Sequence, residues 1–324
     1  MSGHTPALAG AARSVKPAGP HHAEDGTLVS LSEVTEIELL ILKRMREVTI
    51  GDHRSLSHGP GFDYVGLRDW QAGDRFSSID WAQSSLTNFS PLVVREYEQP
   101  STATVLAVAD GSLSTRCGAG TGSIAVAVAR AVATIGLSAV FFQDLFGLVT
   151  FDAGFRNVSA VPPRIGRGHV IHCLEEYQRL RALEPVRLEG GLGATVGSFV
   201  RRTAMIPFIS DFLFDDAEAV LRELSLLSSV HDVFIVLVDA SSAFEMPLLS
   251  AGWVETVDVE TGRTRTLSRA QLAGMADRVR DWQDEVVRLA KLADLDLVRI
   301  GRDQAQADMA LAEFVSERRL RKAS

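Results

Sequence analysis

TVLAVADGSLS, residues 104–114, is a nearly unbroken apolar run that ends in Asp110 and then sets Ser112 and Ser114 at alternate positions. A strand apolar at successive positions is buried on both faces, as in a parallel sheet covered by helices on either side. FGLVTFD (146–152), MIPFISD (205–211), HDVFIVLVD (231–239) and LDLVRIG (295–301) repeat the pattern. Between them lie the apolar stretch 124–142, the helical pattern DDAEAVLRELSLLSSV and a helix over roughly 268–294, and a last helix runs to about 320. This alternation predicts an α/β fold built on a doubly wound, mainly parallel sheet over residues 104–324. Residues 241–267, with Pro247, Gly252, Gly262 and the alternating VETVDVETG, break the alternation and are expected to form an inserted hairpin.

On the N-terminal side, Ser30 and Glu33 have capping-box spacing, and Val34, Ile37, Ile41, Met45 and Val48 recur at helical intervals. A helix over 31–49 is expected, followed by a β-rich segment to residue 103 punctuated by Gly59, Gly61, Gly66 and Gly73. The helix and this segment are read together as one module, 31–103. Residues 1–30 mix Ala, Gly, Pro and His without a signal-peptide core and are expected to be a disordered tail.

The 324 residues carry 33 Lys+Arg against 41 Asp+Glu, a net charge of −8, which argues against a nucleic-acid coat. Two cysteines, Cys117 and Cys173, exclude a disulfide framework and suit a reducing, cytoplasmic setting. The stretch 124–142 has the length of a membrane span, but Arg130, Thr134 and Ser138 fall at i, i+4, i+8 on one helical face. It is therefore read as a core helix, with no integral membrane segment.

In an open parallel sheet, ligands bind at the carboxyl edge near a switch in strand order. Asp110, Ser112 and Ser114 leave that edge from one strand and Asp211 leaves it from another. If the two strands are neighbours, the hard oxygens suit Mg²⁺, with positions left for water or an outside carboxylate. The competing reading of the same residues is a strand-to-helix turn whose Asp and Ser cap backbone N–H groups.

These residues resemble a known pattern. D-x-S-x-S at 110–114 with FISD at 208–211 is similar to the metal-ion-dependent adhesion site of von Willebrand factor A domains. GxGFDYxxLRDWxxGD at 59–74, IDW at 79–81, VREY at 94–97, GLVTF at 147–151 and HDV…VD…PLLSAGWVETVDVETG at 231–262 resemble the DUF58 family. The resemblance spans roughly residues 51–315 and implies an adaptor or accessory protein working with a MoxR-type AAA+ ATPase on a client protein complex, in complex maturation or metal insertion. It implies a Mg²⁺ site of Asp110, Ser112, Ser114 and Asp211, and no catalysis. A threonine normally completes such a site from a GGT-like turn; here the turn is Gly190-Gly191-Leu192, and Thr195 is the substitute candidate. Ser77 and Leu86 also stand where the family pattern leads one to expect arginine. The rival readings are a metal-dependent hydrolase using the same carboxylates and a metal-free scaffold.

Other motifs are weaker. Gly118–Gly122 lacks both the G-x-G-x-x-G spacing and a GK[ST], so no nucleotide site is expected. His169, His172 and Cys173 have zinc-ligand spacing without a second pair and are read as a helix surface with one buried cysteine. Trp70 and Trp81 are expected to be core anchors beside the turn-forming Asp74 and Asp80.

Overall fold

A computed structural model describes residues 27–51, 63–72, 74, 76–98, 102–116, 123–152, 158–179, 191–214, 216–244, 253–257 and 264–321. Most of the tail, Cys117, the Gly118–Gly122 run, Gly59, Gly61, Gly73, Gly190, Asp215, Pro247, Gly252 and Gly262 lie outside the described residues.

In chain order the elements are α1 (Leu31–Gly51), β1 (Asp63–Asp69), α2 (Trp81–Leu86), β2 (Val93–Glu98), β3 (Thr104–Asp110), α3 (Ile124–Phe141), β4 (Leu145–Phe151), β5 (Val158–Arg164), α4 (Arg167–Arg179), α5 (Gly191–Phe199), β6 (Met205–Ser210), α6 (Ala217–Ser228), β7 (Asp232–Val238), β8 (Trp253–Val257), β9 (Thr264–Ser268), α7 (Arg269–Leu292), β10 (Asp296–Ile300) and α8 (Gln304–Arg321). Six strands form one sheet in the order β10-β7-β6-β3-β4-β5, all parallel except β5, which runs antiparallel to β4. The chain winds from β3 outward through β4 and β5, then returns to β6 and winds the other way through β7 and β10. This is the doubly wound α/β arrangement, consistent with a von Willebrand factor A-like fold.

Both faces of the sheet are covered, which explains the continuous apolar strands. Along β3, Val105, Ala107 and Ala109 point to a core shared with α1, α3, α4 and α8, while Leu106 and Val108 point to a second core shared with α5, α6 and α7. The helix α3 is long and apolar enough to cross a membrane by length and composition, and in the fold it is mostly buried. Its polar face is used for pairing. Arg130 donates to Glu33 of α1 at 2.9 Å and to Asp308 of α8 at 2.5 Å, Thr134 donates to Asp308 at 3.2 Å, and Ser138 back-bonds to Thr134 O at 2.8 Å.

The capping box forms at the start of α1, with Ser30 N donating to Glu33 at 2.8 Å and Glu33 N to Ser30 Oγ at 3.3 Å. Val34, Ile37, Ile41 and Met45 are buried against α3 and α8. At about 1.5–3 kcal/mol for each buried side chain, this face contributes roughly 6–12 kcal/mol before entropy costs, far more than its surface ion pairs. The helix α1 thus packs its apolar face against α3 and α8.

In that segment β1 and β2 pair antiparallel, with a bulge between Tyr64 and Gly66. Asp80 caps α2, accepting from Ala82 N at 3.0 Å and Gln83 N at 3.2 Å. Trp70 stacks on Phe76 with ring centroids 6.0 Å apart. Trp81, expected as a core anchor, is instead 58% exposed, because Asp80 sets it at the first helical position of a short surface helix. Ser77 and Leu86 are also exposed. The strands β8 and β9 pair antiparallel and lie, but for Ser268, within the stretch expected as an insertion.

Candidate functional site at the switch point of the sheet

The strand order reverses between β3 and β6, so a crevice is expected beyond their carboxyl ends. The register sets Ala109 beside Ile209, with Asp110 beside Phe151 of β4. Asp110 and the Ser210–Asp211 pair therefore leave the sheet side by side.

The turn after β3 folds back on the Asp110 carboxylate. Its Oδ1 accepts from Ser112 N at 3.0 Å and from Ser112 Oγ at 2.6 Å, and Ser112 Oγ lies 3.0 Å from Ser114 Oγ. A hydroxyl has one proton; since Ser112 gives its proton to Asp110, Ser114 is the donor in the second contact. From the neighbouring strand, Ser210 Oγ donates to Asp110 Oδ2 at 2.8 Å and accepts from Phe212 N at 3.0 Å. Asp211 Oδ1 accepts from Leu213 N at 2.9 Å in an Asx turn. Asp110, Ser112, Ser210 and Asp211 are all buried, and Ser114 is the more open member.

Two helices from opposite layers hold the main chain here. From α4, Tyr177 donates its hydroxyl to Asp110 O at 2.7 Å, and Arg116 donates to Tyr177 O at 2.8 Å with its guanidinium 5.6 Å from the ring centroid. From α7, Gln283 donates to Asp211 O at 3.0 Å and Val238 O at 2.8 Å, while Trp282 donates to Phe212 O at 2.8 Å. Burial, then the negative charge of Asp110 and more weakly that of Asp211, push the Tyr177 phenol well above its usual range. The hydroxyl stays protonated as a donor, within electrostatic reach of both carboxylates.

Of the sequence candidates, Asp110, Ser112 and Ser114 are joined directly and Asp211 stands on the adjoining strand end. Thr195 lies buried on α5, one turn after Leu192, and its carbonyl accepts from Ser198 Oγ at 2.6 Å. Leu192 is packed in the core and its N–H donates to Glu223 of α6 at 2.8 Å. Sequence reading missed Ser210, although it directly precedes Asp211. It also missed Tyr177 and Gln283, which reach the site across 67 and 72 residues of chain and carry no local signal.

The donor set is two carboxylates and two hydroxyls, all hard oxygens, and it fits Mg²⁺ better than a softer metal. Among the described residues no group of three or more His, Cys, Asp or Glu is assembled for a metal. On α4, Cys173 is buried with its Sγ 3.8 Å from His169 Nε2, and His169 Nε2 is also 3.1 Å from Pro162 O. Asp216 stands at the N-cap position of α6 without a side-chain capping bond, so its contribution there is its charge.

The uncharacterized proteins Rv1480 of Mycobacterium tuberculosis and Mb1516 of Mycobacterium bovis are each 28% identical over 238 residues, 72% of this chain and 71% of theirs. Among solved structures, the conserved hypothetical protein BatB from Bacteroides thetaiotaomicron aligns with 15% identity and a TM-score of 0.43, covering 67% of this chain and 98% of that one. An aerotolerance-related membrane protein from Bacteroides fragilis aligns with 16% identity and a TM-score of 0.39, covering 66% and 99%. The family model described as "Protein of unknown function DUF58" matches residues 66–284, more than half of the chain, and the chain belongs to that family.

Proposed function

We propose that this protein is a non-enzymatic adaptor that takes an acidic side chain of a protein partner through a Mg²⁺ ion at the carboxyl edge of its sheet. The observation that supports this most is the Asp110–Ser112–Ser114 turn beside Ser210 and Asp211 at the switch between β3 and β6. In this reading Ser112 and Ser114 present oxygen lone pairs outward, while the two carboxylates supply charge from behind them. Asp110, Ser112, Ser114 and Asp211 would hold the ion, whose remaining coordination position would take a partner carboxylate. Tyr177 and Gln283 keep the two main-chain segments fixed while the partner docks.

The resemblance of the sequence motifs supports a MoxR-type AAA+ ATPase as the partner, acting in the cytoplasm. The ATPase supplies mechanical work, and this chain supplies specificity for the client complex in maturation or metal insertion. The same carboxylates would also serve a metal-dependent hydrolase, and the experiment below separates the two readings.

The test is co-purification with a co-expressed MoxR-type ATPase. Wild type is expected to retain the ATPase with Mg²⁺ present, and both chelator and Asp110→Ala are expected to release it. Retention that ignores both treatments would overturn the metal-bridged mechanism, and metal-dependent phosphatase or esterase turnover would replace the adaptor reading with a hydrolase.

A further inference from the structure

We infer that Ser210 is the residue that positions Asp110 for the cation, an inference that rests on the proposed reading of this edge as a Mg²⁺ site. Ser210 is the last residue of β6 and is fully buried. Its Oγ accepts from Phe212 N at 3.0 Å, so its one proton is directed to Asp110 Oδ2 at 2.8 Å. The other carboxylate oxygen is held by Ser112 N and Ser112 Oγ. The Asp110 carboxylate is therefore held at Oδ1 by its own turn and at Oδ2 by the neighbouring strand β6.

This arrangement determines how the outward-facing oxygens are presented. Ser112 keeps its oxygen as an acceptor because its proton is committed to Asp110 Oδ1, and that commitment depends on the carboxylate keeping its plane. Without the Ser210 hydroxyl, Oδ2 loses a buried donor and the carboxylate is free to turn and compete for the Ser112 donors. Ser210 also ties the β3 end to the Phe212 main chain, and so sets the spacing of the two carboxylates. Partners that orient metal ligands from behind typically matter about 10–100-fold in metal affinity.

The experiment uses Mn²⁺ as the probe with the full chain, read by water-proton relaxation for affinity and by electron paramagnetic resonance for the bound-ion spectrum. Ser210→Ala is expected to weaken Mn²⁺ about 10–100-fold and to broaden the bound spectrum, with unchanged far-ultraviolet circular dichroism. Ser210→Thr, which keeps the hydroxyl, is expected to bring affinity back close to wild type. If Ser210→Ala does not fold, Ser210→Cys is measured in its place, since it keeps a similar volume with only a weak donor. Wild-type affinity in the hydroxyl-less variants would overturn the role of Ser210 while leaving the cation site standing. Equal loss in Ser210→Thr would overturn it in favour of a purely structural role. Absence of Mn²⁺ binding in wild type would overturn the site and this inference together.

Discussion

Phe212 gives the sharpest stability prediction, because it combines full burial with a backbone that glycine would adopt more readily. It follows Asp211 directly, has φ +57° and is completely buried. Its ring lies 5.4 Å from that of Phe208 and 5.6 Å from that of Phe214. Removing the ring costs about 3–5 kcal/mol for either small replacement. In ordinary backbone, glycine is then the worse choice than alanine by roughly 0.5–1 kcal/mol. At φ +57° the order reverses, since a Cβ in the left-handed region costs about 1–2 kcal/mol. Phe212→Gly is therefore expected to be more stable than Phe212→Ala by about 1 kcal/mol. Urea unfolding followed by circular dichroism reads this as a midpoint about 0.3–1 M higher for the glycine variant, at m-values of about 1–3 kcal/mol/M. Equal midpoints, or a more stable alanine variant, would refute the left-handed turn that aims Asp211.

Four further outcomes are expected. Arg130→Met leaves Asp308 buried without its cation and should cost about 3–5 kcal/mol in urea unfolding; a loss below 1 kcal/mol would show that α1, α3 and α8 are held by packing alone. The paired Arg68 guanidinium, at 2.7 and 2.8 Å, and the Gln71 N–H hold the Asp74 carboxyl down at about 2. Because this folded value lies below the unfolded one, its stabilising effect is complete above about pH 4 and is lost as pH falls through 2; a carboxyl NMR titration of Arg68→Ala should find Asp74 raised toward the ordinary range, with the Gln71 N–H still holding it below. Burial pushes the Cys173 thiol up to about 12, so native Cys117→Ser protein should resist alkylation at pH 8 and react only after unfolding. A Cβ on Gly147 would lie 2.9 Å from Pro163 N and Val161 O; Gly147→Ala should lower stability by about 1–3 kcal/mol, and an unchanged melting temperature would contradict the close approach of β5.

The central strands were legible because burial on both faces forces a continuous apolar run, and the Ser30–Glu33 box was legible because its bonds are local. The strand β5 was not, since Pro162 and Pro163 argue against a strand and are tolerated there only because β5 is an edge. The helix α5 carries Gly191, Gly193 and Gly197, which mask its helical pattern. For α1, the periodicity announced a buried face without saying what covers it; Arg130 and Asp308, distant in sequence, supply the answer. At the candidate site, the residues at strand ends could be named from the sequence. The groups that orient them, Ser210, Tyr177 and Gln283, became visible only once β3, β6, α4 and α7 were brought together.

The most direct test of the account is calorimetric titration of Mg²⁺ into wild type and Asp110→Ala. The account predicts one site in wild type and none in the variant, whose circular dichroism should be unchanged. Equal binding by both proteins, or no heat with wild type, would contradict a cation site at the β3–β6 switch point.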